Sequence, residues 1–260
     1  MGARITIGKV WGIPIGLHWS LLLVFALLTW SLADGYLPTS YPDLGVGARW
    51  IIAAVTSILF FASILLHELG HAWVAVRNNI PVNRITLFIF GGAAEIDRQA
   101  KTPGVEFRVA LGGPAVSLIL VGVFGGLYLL TRDVTVLGAP LFWLFMVNLV
   151  LLVFNLVPGY PLDGGRLLRA AVWHFTGSEQ RASTVAMISG QIVAFGLMAI
   201  GGLLILNGNF FNGIWLIFIG WFLQNATVAE QSSSTIQREL SGVTVAQAMA
   251  MTTEPRVPSR

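Results

Sequence analysis

Residues 64–73 read ILLHELGHAW, two histidines and a glutamate set in the middle of an apolar run. A polar group buried there without a partner costs on the order of several kcal/mol, so the placement needs a reason. His67-Glu68-Leu69-Gly70-His71 fits the pattern H-E-x-x-H. On a helix, positions i and i+4 lie about 40° apart on one face. Both imidazoles can therefore reach one zinc ion, and Glu68 is close enough to handle the proton of an attacking water. Ionisable groups within an apolar span mark functional sites by default, which strengthens a motif that is modest alone.

Composition sets the surroundings. The chain has 260 residues, 55% hydrophobic and only 10% charged, with a mean hydropathy of +0.78, which reads as an integral membrane protein. The net charge of +3 does not indicate nucleic acid, because the basic residues form no patch interleaved with aromatics. With no cysteine there is no thiolate metal site and no cysteine nucleophile. A metal here must be held by His, Asp or Glu.

A bilayer core needs roughly 20 apolar residues, and six stretches qualify: 17–33, 50–76, 108–130, 141–157, 184–206 and 212–229. The expected fold is an all-α polytopic membrane protein with a small hairpin or sheet at the cytoplasmic side, multi-pass in the plasma membrane. If both termini are cytoplasmic, all 15 basic residues except Arg49 and Arg132 fall on the inner side, as the positive-inside rule asks. His67 is then roughly 27 Å from Arg49 and 15 Å from Arg77 at the rise of an ideal helix. Residues 80–97 are too short to span and predict one or two strands, and 155–165, NLVPGYPLDGG, must break the fourth helix.

A catalytic zinc takes three protein ligands and keeps one position open. The candidates for the third are His18, Glu95, Asp97, Glu106, Asp133, Asp163, His174 and Glu179. Asp133 falls on the outer side, and Glu106 and Glu179 read as solvated loop residues. Asp163 stands out, since the prolines and glycines around it free the backbone to line a cavity at membrane depth; Asp before two glycines also suits a helix cap. His18, beside Trp19, reads as an interfacial side chain.

HELGH in an apolar helix, followed about 90 residues later by NLVPGYPLDGGR, resembles the site-2 protease family of intramembrane zinc metalloproteases. GIPIGLHWSLLL near the N-terminus and GGPAVSL at 112–118 resemble its bacterial and archaeal branch. The resemblance implies one zinc ion per chain on His67, His71 and Asp163, with Glu68 driving the water. It places Asn155 near the site and Asn148 at a position that meets substrate, although a buried interhelical hydrogen bond explains Asn148 equally well. Ser117 departs from the pattern, in which many relatives carry asparagine. Gly91 and Gly92 suit either a close backbone approach to substrate or a tight turn.

The expected function is hydrolysis of peptide bonds in or near transmembrane segments of membrane-protein substrates, as regulated intramembrane proteolysis. A second copy of the chain is a further partner the sequence allows. Residues 1–229 form the membrane core. In 230–260 a linker leads to GVTVAQAMAMTTEPRVPS, which resembles the opening of a truncated CBS domain; adenine nucleotide would bind only to a full CBS module. The alternative is a proteolytically silent adaptor with a structural zinc, which would need a fourth protein ligand such as His174. A transporter would call for paired broken helices in repeated halves, and none is evident.

Overall fold

A computed structural model describes residues 4–89, 91–96, 100–133 and 136–240. Asp97 and the CBS-like stretch at 242–259 lie outside the described residues. The chain falls into two compact units, Met1–Ala186 and Met187–Arg260.

Among the described residues six helices are long and apolar enough to cross a membrane: Ser20–Ser40, Val46–Arg77, Pro103–Thr131, Gly138–Asn155, Glu179–Leu206 and Phe210–Ala229. They overlap the six expected stretches, and the protein is a multi-pass membrane protein. The first combines α1 (Ser20–Trp30), a π-helical stretch Ser31–Tyr36 and the short α2 (Leu37–Ser40). Then follow α3 (Val46–Arg77), α4 (Pro103–Thr131), α5 (Gly138–Asn155), the shorter α6 (Asp163–Thr176), α7 (Glu179–Leu206) and α8 (Phe210–Leu240). α8 runs past 229, into the stretch expected to be linker.

Burial on α3 runs opposite to a water-soluble helix. Thr56, Ser57, Ser63, His67 and His71 are buried, while Ile51, Val55, Ile58, Leu66 and Val76 are exposed. Lipid solvates the apolar side chains, so hydrogen bonds and close packing are what hold the helices together. Thr29 Oγ1 on α1 donates to Ser57 Oγ at 3.0 Å, and Asn148 Nδ2 on α5 donates to Ser63 Oγ at 3.4 Å and to the Leu144 carbonyl at 2.8 Å. α3 and α4 touch at Gly70 and Gly112: a Cβ on Gly70 would lie 2.4 Å from the Gly112 carbonyl oxygen, and one on Gly112 would lie 2.6 Å from that of Gly70. In the second unit, Gly201 on α7 and Gly213 on α8 meet as closely.

The sheet is larger than the sequence suggested. Besides β3 (Val82–Phe88) and β4 (Gly91–Ile96), it contains β1 (Arg4–Val10) and β2 (Ile13–His18), in the order β1-β2-β3-β4. β1/β2 and β3/β4 pair antiparallel and β2/β3 parallel. The β1–β2 turn places Trp11 and Gly12 at φ 51° and 81°, the left-handed pair that a two-residue hairpin loop requires. The C-terminal half of α3 packs on the sheet through Ala72, which clusters with Ile13 and Ile85 and with half-buried Leu65, Leu69 and Val82.

Glu106 and Glu179 correct the expectation that both are solvated loop residues. Glu106 is buried in the first turn of α4 and Glu179 opens α7; both pair with Arg169 of α6, itself only 5% exposed. Arg169 Nε also donates to Ser183 Oγ at 3.0 Å. Burial alone would lower the guanidinium's pKa, but Glu106, Tyr160 and Glu179 more than offset it and leave the pKa raised. The cluster fixes α6, and with it the segment that carries Asp163. Glu106→Ala would leave this buried cation short of its main partner, at about 3–5 kcal/mol. Thermal unfolding in detergent should show a large drop in Tm for Glu106→Ala and a much smaller one for Glu179→Ala, whose carboxylate is 39% exposed.

Candidate metal centre

The sequence separates His71 from Asp163 by 92 residues, yet the fold closes the gap. His67 and His71 sit one helical turn apart on the buried face of α3. Asp163 opens α6 where the chain emerges from the break after α5. That break packs tightly: a Cβ on Gly164 would lie 2.3 Å from the Val157 carbonyl oxygen, and one on Gly165 would lie 2.4 Å from the Tyr160 nitrogen. Gly-Gly after the aspartate thus lets α6 start directly against the loop.

His67 Nε2 lies 3.1 Å and His71 Nε2 3.2 Å from Asp163 Oδ2, and the two nitrogens are 3.2 Å apart. The tautomer of His71 is fixed by its other nitrogen. Nδ1 lies 2.7 Å from the Val109 carbonyl oxygen, which can only accept, so Nδ1 carries the proton and Nε2 presents a lone pair. Lone pairs and a carboxylate oxygen packed this closely call for a cation between them. Ligands at about 2.0–2.1 Å around a tetrahedral zinc stand roughly 3.3 Å from one another, so the spacing and the N,N,O donor set both fit that ion. His67, His71 and Asp163 could hold a metal ion.

Glu68, which follows His67 on α3, makes no hydrogen bond or ion pair among the described residues. Its side chain rests on β4: a Cβ on Gly92 would lie 2.3 Å from Glu68 Cγ and 2.9 Å from Oε1. Gly92 thus packs against Glu68, whereas Gly91 has φ 127° and open space around it. Asn148 is 1% exposed and engaged with Ser63, one turn before His67; the structure places it in helix packing. Asn155 is half-buried at the end of α5 and has no side-chain hydrogen bond among the described residues.

Two further ligand candidates, His18 and His174, lie elsewhere. His18 Nδ1 is 2.8 Å from Ser20 Oγ and accepts from the Ser20 N–H, while Ser20 Oγ accepts from the Ile89 N–H, so the pair braces the joint between α1 and the sheet. His174 is exposed, three turns beyond Asp163. Among the described residues no fourth His, Asp or Glu joins the triad.

One contributor was missed. Gly113 on α4 faces both imidazoles: its Cβ would lie 2.2 Å from His71 Nε2 and 2.5 Å from His67 Nε2. The only cue in the sequence was the Gly112-Gly113-Pro114 run.

Residues 55–135 and 131–200 match the model of peptidase family M50. The chain is 40% identical to Rip3 of Mycobacterium tuberculosis, across 96% of this chain and 64% of that protein. It is 37% identical, over its whole length, to a relative from Synechocystis of which it covers 68%. The chain belongs to peptidase family M50. It is also 34% identical to a zinc metalloprotease of Methanocaldococcus jannaschii, across 92% of this chain and 63% of that protein. In three dimensions it resembles a site-2 protease from the same archaeon, with a TM-score of 0.56, 28% identity, and coverage of 88% of this chain and 95% of that one. This M50 chain thus spans about two thirds of the length of the relatives it matches.

Gly113→Ala places a methyl group where the two nitrogens must converge. Zinc content of the purified protein, measured by elemental analysis, should fall to near zero in Gly113→Ala and stay at wild-type level in Gly122→Ala, where a Cβ meets open space.

Proposed function

We propose that this M50 chain is an intramembrane zinc metalloendopeptidase that hydrolyses peptide bonds in or near transmembrane segments of membrane-protein substrates, and that it serves regulated intramembrane proteolysis. The observation that carries the reading is the convergence of His67 and His71 with Asp163, next to a Glu68 that has no hydrogen bond or ion pair among the described residues, on the buried face of helix α3, whose outer surface suits lipid. Its relatives' names, zinc metalloprotease and site-2 protease, agree with it.

Zinc held by His67, His71 and Asp163 would supply Lewis-acid polarisation of the scissile carbonyl and lower the pKa of the attacking water. Glu68 takes a proton from that water as it attacks the carbonyl carbon, and the water oxygen becomes part of the new carboxyl group. Glu68 then returns the proton to the departing nitrogen, so the C–N bond breaks to leave an amine. The His71–Val109 hydrogen bond keeps the imidazole oriented throughout.

A helical substrate hides its peptide bonds in its own ladder and must unwind first. β4 is the edge of the sheet, and its second residue lies against Glu68. An unwound segment pairing with that edge by β-augmentation would run past the general base. Orientation follows the charge: with both termini cytoplasmic, the inner segments hold every basic residue except Arg49 and Arg132, and the metal site opens nearer that side.

The test uses purified protein in detergent with a model transmembrane substrate. Glu68→Gln should retain zinc and lose cleavage by roughly 100-fold or more, the usual contribution of a positioned acid–base group. His67→Ala and Asp163→Ala should lose zinc and cleavage together. Cleavage by Glu68→Gln at the wild-type rate would overturn the proposed role.

A further inference from the structure

α4 contributes to the centre along a single stripe. Val109, Gly113 and Ser117 follow at i, i+4 and i+8, hence on one face, and each meets one part of the histidine pair. The Val109 carbonyl accepts from His71 Nδ1. Gly113 leaves the space in which both Nε2 atoms sit. Ser117 Oγ lies 2.8 Å from His67 Nδ1, and both residues are buried, at 3% and 8% exposure. Pro114, inside the same stretch, lacks an N–H, so the helix ladder also loses the bond to the Ala110 carbonyl, next to the Val109 carbonyl that His71 meets.

The two histidines are not held alike. A carbonyl can only accept, so the tautomer of His71 is forced. A hydroxyl can donate or accept, so Ser117 permits either tautomer of His67, and the wrong one would put a proton on Nε2, facing Asp163. Once the ring turns Nε2 toward the other two donors, Nδ1 is the remaining nitrogen, and Ser117 Oγ is the partner it meets.

Resting on the reading of His67, His71 and Asp163 as a metal site, we propose that Ser117 is a positioning residue for that site: its Oγ accepts a hydrogen bond from His67 Nδ1–H, and so fixes the ring and leaves the Nε2 lone pair for the metal. An asparagine carboxamide oxygen at this position would offer the same acceptor. Outer partners of this kind are worth 10–100-fold in metal affinity.

Zinc affinity of the purified full chain is measured by competition with a chromophoric chelator, together with the Tm of the metal-free form. Ser117→Ala should bind zinc 10–100-fold more weakly with an unchanged metal-free Tm, and Ser117→Asn should restore the affinity. If the alanine variant does not fold, Ser117→Thr and Ser117→Val, alike in shape but differing in the hydroxyl, give the same comparison. Wild-type affinity in Ser117→Ala or Ser117→Val overturns the proposal while leaving the metal site standing. A wild-type protein that binds no zinc overturns the metal site itself, and the positioning role with it.

Discussion

Three electron-rich atoms buried within 3.1–3.2 Å of one another cannot stay together without something positive among them, and much of the first unit serves to hold them there. Repulsion among the two imidazole lone pairs and the carboxylate would push α3 and α6 apart. The opposing forces are visible: Gly70 against Gly112 brings α4 onto α3, Gly164 and Gly165 seat the start of α6 on its own loop, and the Arg169 cluster ties α6 to α4. The cation demanded by the donors and the packing that confines them are two sides of one arrangement.

The membrane makes this arrangement economical. In water a helix hides its apolar side and shows its polar one; here α3 does the reverse, so a line of hydroxyls and imidazoles runs through the interior while leucines and isoleucines face outward. Along this line Ser57 and Ser63 bond to Thr29 and Asn148 of neighbouring helices, and His67 and His71 meet Asp163. Depth separates the two uses: the packing hydroxyls lie toward the N-terminal end of α3, and the ligands lie toward the end that docks on the sheet.

The six spans were legible because hydrophobic length is a property of the local sequence, and His67, Glu68 and His71 were legible because a helix fixes the geometry of an i, i+4 pair. Asp163 could be suspected from its broken surroundings, but its meeting with the histidines depends on a 92-residue closure that no local pattern encodes. β1 and β2 were missed although Ile5, Ile7 and Val10, then Ile13, Ile15 and Leu17, are close to alternation around Trp11-Gly12; the nearby first span made them look like its lead-in. Glu106 looked solvated because its partner, Arg169, is 63 residues away. Gly113 and Ser117 were readable as residue types but not as roles, since the lack of a side chain matters only once one knows what fills the space.

The account stands most directly on the identity of the metal's ligands, which zinc-edge X-ray absorption of the protein in detergent would report. It predicts two imidazole nitrogens and one carboxylate oxygen at about 2.0–2.2 Å, no sulfur, one further light atom, and loss of this shell in Asp163→Ala. A shell with three imidazoles, or one that Asp163→Ala leaves unaltered, would contradict it.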